Sequence, residues 1–318
     1  MPNKTNKTDT GQTIALTGAT GFLGGHTLRA LVANGYMIKA LTRRPQADTP
    51  NVEWINGSLD DADSLKELVA GCDILLHLAG LTKALSRDAF FDVNVAGSKS
   101  LFKAAQDADV GHVIHVSSLA AREPRLSHYG ASKAGTEMLL TARKWAFSWT
   151  IVRPPAIYGP GDKEILKLFK ATRFGFLPAP GSSKNRFSMI HAADLAGGLV
   201  ALCDKSNGQA ILEIDDGMNG GYTVSDVAKA MPDSEKRKTR TIPVPFMALG
   251  SIGAVNGLIA KLINRPAMLT LSTAKYLVHP DWTVKEPRRF KHANWSPQFD
   301  LKAGLLNTIE WYRKNDLL

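Results

Sequence analysis

Cysteine is nearly missing: the 318 residues hold two, Cys72 and Cys203, far apart and in no CxxC pattern. That scarcity excludes a disulfide framework or a cysteine zinc site, so no metal centre is expected, and it points to a reducing compartment. A long apolar run is missing too. Phe246 to Ala260 is uncharged, but it falls short of the ~18 residues that a membrane span needs and is broken by Gly250, Gly253 and Gly257. The opening MPNKTNKTDTGQ has no apolar stretch of the kind that directs secretion, so residues 1–12 are expected to form a loose polar tail and the protein to be cytoplasmic. Acidic residues are in deficit: 29 Asp and Glu face 39 Lys and Arg, a formal net charge of +10. Such an excess admits anionic ligands, membrane surfaces or nucleic acid as partners and is silent about fold. With 44% hydrophobic and 21% charged residues, disordered and fibrous classes fall away.

What is present is an alternation of short apolar runs and amphipathic stretches from Thr13 to about Arg153. Strands are expected at Thr13–Thr17, Met37–Thr42, Val52–Asn56, Asp73–Ala79, Val113–Ser117 and Thr150–Arg153. Helices are expected at Phe22–Asn34, Ser64–Ala70, Val93–Asp107 and Ser132–Phe147. This rhythm predicts an α/β fold, a doubly wound parallel sheet covered on both faces. After Arg153 prolines and glycines multiply and the elements shorten. Asp194 is expected to cap the helix that carries LAGGLVAL, Thr223 to precede a short helix, and Leu301–Arg313 to form a terminal one. The division expected is a tail at 1–12, a dinucleotide-binding domain at 13–160, and a smaller substrate lobe at 161–318 with segments returning to the first domain.

The loop TGATGFLG follows the first strand and opens the first helix, with glycines at Gly18, Gly21 and Gly24. Gly18 allows a tight turn, Gly21 lets backbone approach a pyrophosphate, and Gly24 permits close helix–strand contact. The anion then rests on free N–H groups at a helix N-terminus. This is a Rossmann-type signature. The second strand ends MIKALTRR, with no acid for a ribose 2′-hydroxyl but with Arg43 and Arg44, whose guanidinium groups suit a 2′-phosphate. NADP is therefore expected over NAD.

Val116-Ser117-Ser118 closes the fifth strand, and Tyr129 and Lys133 follow four residues apart in YGASK, one turn apart on a helical face. A phenol titrates near ~10 unperturbed, too high for a base at neutral pH. A neighbouring ammonium and an oxidised nicotinamide would stabilise the phenolate, and a strand-end serine can bond the substrate oxygen.

Taken in order, TGATGFLG, HLAG, VSS, YGASK, RPPAIYGPGD and the closing WSPQFDLKAGLLNTIEWYR resemble the extended short-chain dehydrogenase/reductase superfamily, over nearly the whole chain. The resemblance implies an NAD(P)-dependent oxidoreductase of the epimerase/dehydratase-like kind. It implies that Gly18, Gly21 and Gly24 hold the diphosphate with the amides of Phe22 and Leu23, that Leu59 lies near adenine, and that Ala79 and Gly80 flank the ribose. It implies Ser118 as orienter of the substrate oxygen, Tyr129 as general acid/base, and Lys133 as its pKa setter and ribose ligand. Pro155, Ala156 and Ile157 would line the carboxamide. Two departures stand out: Ser58-Leu59 replaces the acid-containing pair common after the third strand, and Arg43 replaces the acid that many NAD-retaining relatives carry.

Residues 229–291 hold twelve Lys and Arg against four acids, +8 of the chain's +10, around the apolar run from Ile242 to Ile263. Residues 242–263 could be a core helix, a peripheral membrane contact, a cover for a lipophilic substrate, or a protein contact such as a homodimer. Nucleic acid is not expected, because no recognition motif accompanies the charge. Arg186 and His191 could face the cleft or be structural, so neither is assigned a role, and His77 and His115 are expected to be hydrogen-bonded core residues. The function expected is interconversion of a secondary alcohol and a ketone on a small to medium, partly apolar molecule. The alternatives are an NAD-retaining sugar-nucleotide epimerase/dehydratase and a non-catalytic NADPH-binding accessory protein of a membrane complex.

Overall fold

The computed structural model describes residues 11–172, 175–204, 208–231, 239–267 and 269–318. Most of the polar tail and the charged residues Asp233, Glu235, Lys236, Arg237 and Lys238 lie outside the described residues. In chain order the strands are β1 (Thr13–Thr17), β2 (Met37–Thr42), β3 (Val52–Asn56), β4 (Ile74–His77), β5 (His112–Val116) and β6 (Ser148–Arg153). They continue as β7 (Ala156–Tyr158), β8 (Phe176–Pro180), β9 (Arg186–Phe187), β10 (Met189–His191), β11 (Ala210–Glu213), β12 (Arg240–Val244) and β13 (Asp281–Trp282). The first helices are α1 (Phe22–Ala33), α2 (Ala62–Val69), α3 (Arg87–Phe91), α4 (Ser98–Asp107) and α5 (His128–Thr141). Then come α6 (Lys163–Thr172), α7 (Ala192–Cys203), α8 (Val224–Ala230), α9 (Phe246–Leu262), α10 (Leu271–Leu277) and α11 (Leu301–Lys314).

Seven strands make one parallel sheet in the order β11-β6-β5-β4-β1-β2-β3. Every residue of β4 and β5 is buried, as strands covered on both faces require. On one face Ile14, Leu16, Ile38, Ile74 and Ile114 pack with Leu31 of α1 and Leu195 and Leu199 of α7. On the other, Ala15, Leu75, Val113 and Ile151 meet Leu65 and Leu68 of α2, Leu101 and Phe102 of α4, and Leu140 of α5. The chain runs outward from β1 through β3 and returns to β4 on the other side of β1. That reversal opens a crevice at the carboxyl ends of β1 and β4, where doubly wound sheets bind ligands.

The smaller lobe has its own core, in which Ile165 and Phe169 of α6 and Val227 of α8 pack with Leu301, Leu305 and Ile309 of α11. Paired short strands, β7 with β10, β8 with β12 and β9 with β13, extend from it. The return of segments to the sheet is concrete: α7 covers one face and β11 is an edge strand.

Several local expectations change. The helix expected to run to Phe147 begins at His128, capped by Ser127, and stops at Thr141. The Val93–Asp107 stretch is a π-helical turn at Asp92–Gly97 followed by α4. Asp194 does not cap α7. His191 does, through Nδ1 to the Ala193 amide, while the Asp194 carboxylate accepts from the amides of Gln298 and Phe299, each at 3.0 Å. The Thr223 cap of α8 is present as a full capping box with Asp226.

Candidate active site

The glycine loop lies in the crevice. Gly18 has φ +79°, and a Cβ there would stand 2.8 Å from the Ala79 nitrogen, so the loop touches the end of β4 only because a side chain is missing. At Gly24 a Cβ would fall 1.9 Å from the Gly18 carbonyl oxygen, which locks α1 against the loop. The N-terminus of α1 begins at Gly21 with no side-chain cap and no acid in its first turn, so the amides of Phe22 and Leu23 are left for an anion. These features fit a dinucleotide phosphate without rearrangement.

Around this point the other expected residues gather. The Ala79 amide donates to Thr17 Oγ1, fixing the loop after β4 beside β1. Leu59 is buried against Gly97, where a Cβ would lie 2.8 Å from its own. Arg43 and Arg44 are exposed at the end of β2 and have no ion-pair partner among the described residues, although Arg43 lies close enough to Asp60 to help depress that carboxyl. Just past Pro155–Ile157, Gly161 approaches the Phe22 ring and the Pro160 carbonyl bonds His26, so this stretch meets the first turns of α1.

The catalytic candidates share the carboxyl ends of β4 and β5. Ser118 lies two residues past the end of β5 and caps a 3₁₀ turn at Leu119–Arg122. The Lys133 ammonium is buried and donates to the Val116 carbonyl at 2.7 Å, next to Gly80, where a Cβ would lie 3.9 Å from it. Burial pushes its pKa down to about 8, opposed by the Glu137 carboxylate. The expected lowering of Tyr129 is not what the chain's own groups produce. Burial raises the phenol, and a hydrogen bond from Ser118 offsets this only in part. Tyr129 is therefore protonated at neutral pH, the form that can donate a proton to a carbonyl oxygen.

Sequence reasoning missed the scaffold of this group. Asn94, buried in the π-helical turn, accepts from the Leu81 amide at 2.6 Å and donates to the Leu81 carbonyl and to Ser132 Oγ at 2.9 Å. It ties the loop after β4 to the helix of Tyr129. Its signal was an amide inside the apolar helical stretch DVNVAG. Glu137, one turn past Lys133, receives Ser117 Oγ and both Nε and Nη2 of Arg153. Ser117 thus faces the interior, leaving Ser118 as the serine beside Tyr129. Arg186 and His191 make structural contacts: Arg186 donates to the carbonyls of Gly220 and Gly221, and His191 caps α7. His77 is satisfied by Thr17 and Ser98, whereas both nitrogens of His115, stacked on it, lack a partner among the described residues.

Beside Tyr129 opens a cavity of about 680 Å³. One wall is the 82–90 segment with Leu85 and Phe90; the opposite wall is the small-residue face of α9, Gly253, Ala254, Gly257 and Ala260. Its charged lining residues are Lys83, Arg87 and Glu164, of which Lys83 and Glu164 pair at 2.6 Å and Arg87 covers the Phe91 ring at 4.1 Å. Among the described residues no group of His, Cys, Asp and Glu could hold a metal ion.

Fold and site together define an α/β protein of the dinucleotide-binding kind, with Tyr129 lining a cavity beside the glycine loop's crevice. The model of the NAD dependent epimerase/dehydratase family matches residues 14–214, and the chain belongs to that family, within the extended short-chain dehydrogenase/reductase superfamily. It is an NAD(P)-dependent oxidoreductase of the short-chain type. The ceramide reductase of Caulobacter vibrioides is 39% identical over 313 residues, covering 96% of each chain. The 4-hydroxy-2-methyl-3-oxo-4-farnesyl-3,4-dihydroquinoline-1-oxide ketoreductase of Stigmatella aurantiaca is 28% identical, covering 91% of this chain and 93% of that one. Among solved structures, the human epimerase family protein SDR39U1 with NADPH shares the fold at TM-score 0.72 and 19% identity, covering 94% of this chain and 99% of that one.

Proposed function

We propose that the protein is an NADPH-dependent ketoreductase acting on a carbonyl carried by a long apolar chain, a lipid of the ceramide class. The observation that carries this reading is the cavity: Tyr129 lines it, Leu85, Phe90, Leu258, Leu271 and the glycines and alanines of α9 give it a largely apolar wall edged by Ser and Thr hydroxyls, and its Lys83 charge is already matched by Glu164. A sugar-nucleotide substrate would need free cations for its diphosphate, and this lining supplies few. The likeness to a ceramide reductase at 39% identity supports the same class. Arg43 and Arg44, exposed and without a neighbouring acid on their strand, support NADPH over NADH. Both cysteines are free and buried, which suits the reducing cytoplasm.

A reduced nicotinamide, its diphosphate held by Gly18, Gly21, Gly24 and the amides of Phe22 and Leu23, would supply a hydride to the carbonyl carbon. Tyr129 donates its phenolic proton to the carbonyl oxygen, which yields the secondary alcohol. Ser118 orients that oxygen and, with the Lys133 ammonium, stabilises the phenolate left behind. The Val116 carbonyl holds Lys133, and Asn94 holds the loop after β4, in place.

The test is NADPH oxidation with a long-chain 3-oxo amide lipid. Tyr129→Phe should lower kcat by roughly 10²–10⁴-fold while NADPH still binds within about twofold of the wild-type affinity. A fully active variant refutes the role of Tyr129, and turnover of nucleoside-diphosphate sugars in place of the lipid refutes the substrate class.

A further inference from the structure

Helix α9 has its large and small residues on the opposite faces from an ordinary surface helix. Toward the protein it turns Gly250, Gly253 and Ala260, so close that a Cβ on Gly253 would lie 2.6 Å from the Thr270 carbonyl carbon. Toward solvent it turns Met247 (82% exposed), Val255 (58%), Leu258 (64%) and Leu262 (79%), with Ile252, Ile259 and Ile263 beside them. At 100° per residue these side chains cover nearly half of the helix circumference. Leu271 and Leu277 of α10, packed against α9, carry the exposed apolar surface further. A helix bound for water would show the reverse arrangement.

The stretch of sequence that carries this helix has charge of one sign. No acidic residue occurs between Glu235 and Asp281, while Arg240, Lys261, Arg265 and Lys275 fall within that interval. No helix among the described residues is long and apolar enough to cross a membrane. An apolar face on a helix that cannot span, within a stretch of sequence that carries basic and no acidic residues, is the pattern of a segment lying in the interface of an anionic bilayer. The same helix walls the cavity at Tyr129, and Leu258, both exposed and part of that wall, joins the apolar face to the cavity.

We propose that α9 docks this enzyme on an anionic phospholipid bilayer and that a lipid substrate enters the cavity past α9 without crossing water. The entry step rests on the ketoreductase reading; the docking step does not. A patch for a protein partner would need acids on that partner in register with scattered cations. An anionic bilayer meets all of them at once, together with the apolar face.

The experiment is sedimentation of the full chain with vesicles of phosphatidylglycerol and phosphatidylcholine, compared with phosphatidylcholine alone. Binding to the anionic vesicles should exceed binding to the neutral ones at least tenfold and weaken with salt. The double variant Val255→Glu/Leu262→Glu should lose at least tenfold of that binding while its melting temperature is unchanged, since both side chains are exposed. Turnover of a short, water-soluble ketone should be unaffected, because neither residue lines the cavity, whereas turnover of a long-chain ketone held in anionic vesicles should fall with the binding. Wild-type protein that stays in the supernatant with anionic vesicles overturns the proposal. So does a dimer in solution that the double variant dissociates, which would make a second copy the occupant. Vesicle binding without turnover of either ketone supports docking and overturns the ketoreductase reading.

Discussion

Replacing Lys133 by methionine removes a charge that the fold keeps at a cost, and the size of that cost can be worked out. The ammonium is buried, its hydrogen-bond acceptor is the Val116 carbonyl at 2.7 Å, and burial lowers its pKa from 10.5 to about 8. At ~1.4 kcal/mol per pKa unit, the gap between those values amounts to roughly 3 kcal/mol against the folded state at pH 7. As pH rises the folded protein gives up this proton first. Between about pH 8 and 10.5 the unfolded chain therefore holds more protons, and wild-type stability climbs with pH; below about pH 8 the full cost is present. Methionine does not titrate. The stability of wild type minus that of Lys133→Met should accordingly rise by roughly 2–3 kcal/mol from pH 7 to pH 10, other groups being common to both proteins. Urea unfolding followed by tryptophan fluorescence at the two pH values measures that difference. A difference that stays constant, or falls as pH rises, refutes the assignment of Lys133 as a buried, strained ammonium. The same variant should lose most of its turnover, because the Tyr129 phenolate would have no cation beside it.

Three other outcomes are expected. Arg43→Ala/Arg44→Ala should raise KM for NADPH by roughly 10–150-fold, the ~1.5–3 kcal/mol of hydrogen bonds to a charged group, and leave KM for NADH within about twofold; equal losses for both cofactors would remove the 2′-phosphate assignment. At Gly257 an added Cβ meets nothing within 4 Å, so Gly257→Leu should fold with an unchanged melting temperature yet project into the cavity. Long-chain ketones should then lose about tenfold or more in kcat/KM while short ones are spared, and equal loss for both would place the substrate elsewhere. Gly24→Ala puts a Cβ 1.9 Å from the Gly18 oxygen, and the displaced loop should abolish the thermal stabilisation that NADPH confers on the wild type.

Much of the nucleotide-binding half could be read directly from the amino-acid order. The bounds of β1, β2 and β3 match expectation residue for residue, because each is a short apolar run cut off by glycine, proline or charge. The glycine loop and the Tyr129–Lys133 spacing are also local patterns, and the fold brings both to one crevice. Features that depend on distant partners were not legible. Asp194 looked like a cap because it precedes an apolar run, but its carboxylate is taken by amides more than a hundred residues later. Glu137 and Arg153 meet across the boundary between α5 and β6, and neither carries a local mark of its partner. Helix α9 was legible as a helix, but apolar periodicity does not say which face is covered. The core-helix reading of 242–263 fails because only its small residues are buried.

The Asp194 contact has a consequence for how the chain folds. Helix α7 lies on the central sheet, yet its carboxylate is satisfied by the amides of Gln298 and Phe299, and its Asp194 carbonyl receives the Trp295 indole N–H at 3.0 Å. Gly197 and Gly198 leave room for that indole. When the first two hundred residues have emerged from a ribosome, this acid still lacks its partners, and its burial would be opposed until the last stretch arrives. The sheet layer thus waits for the C-terminal segment to close over it, and the non-local contact makes completion of the two lobes a single late event rather than two successive ones.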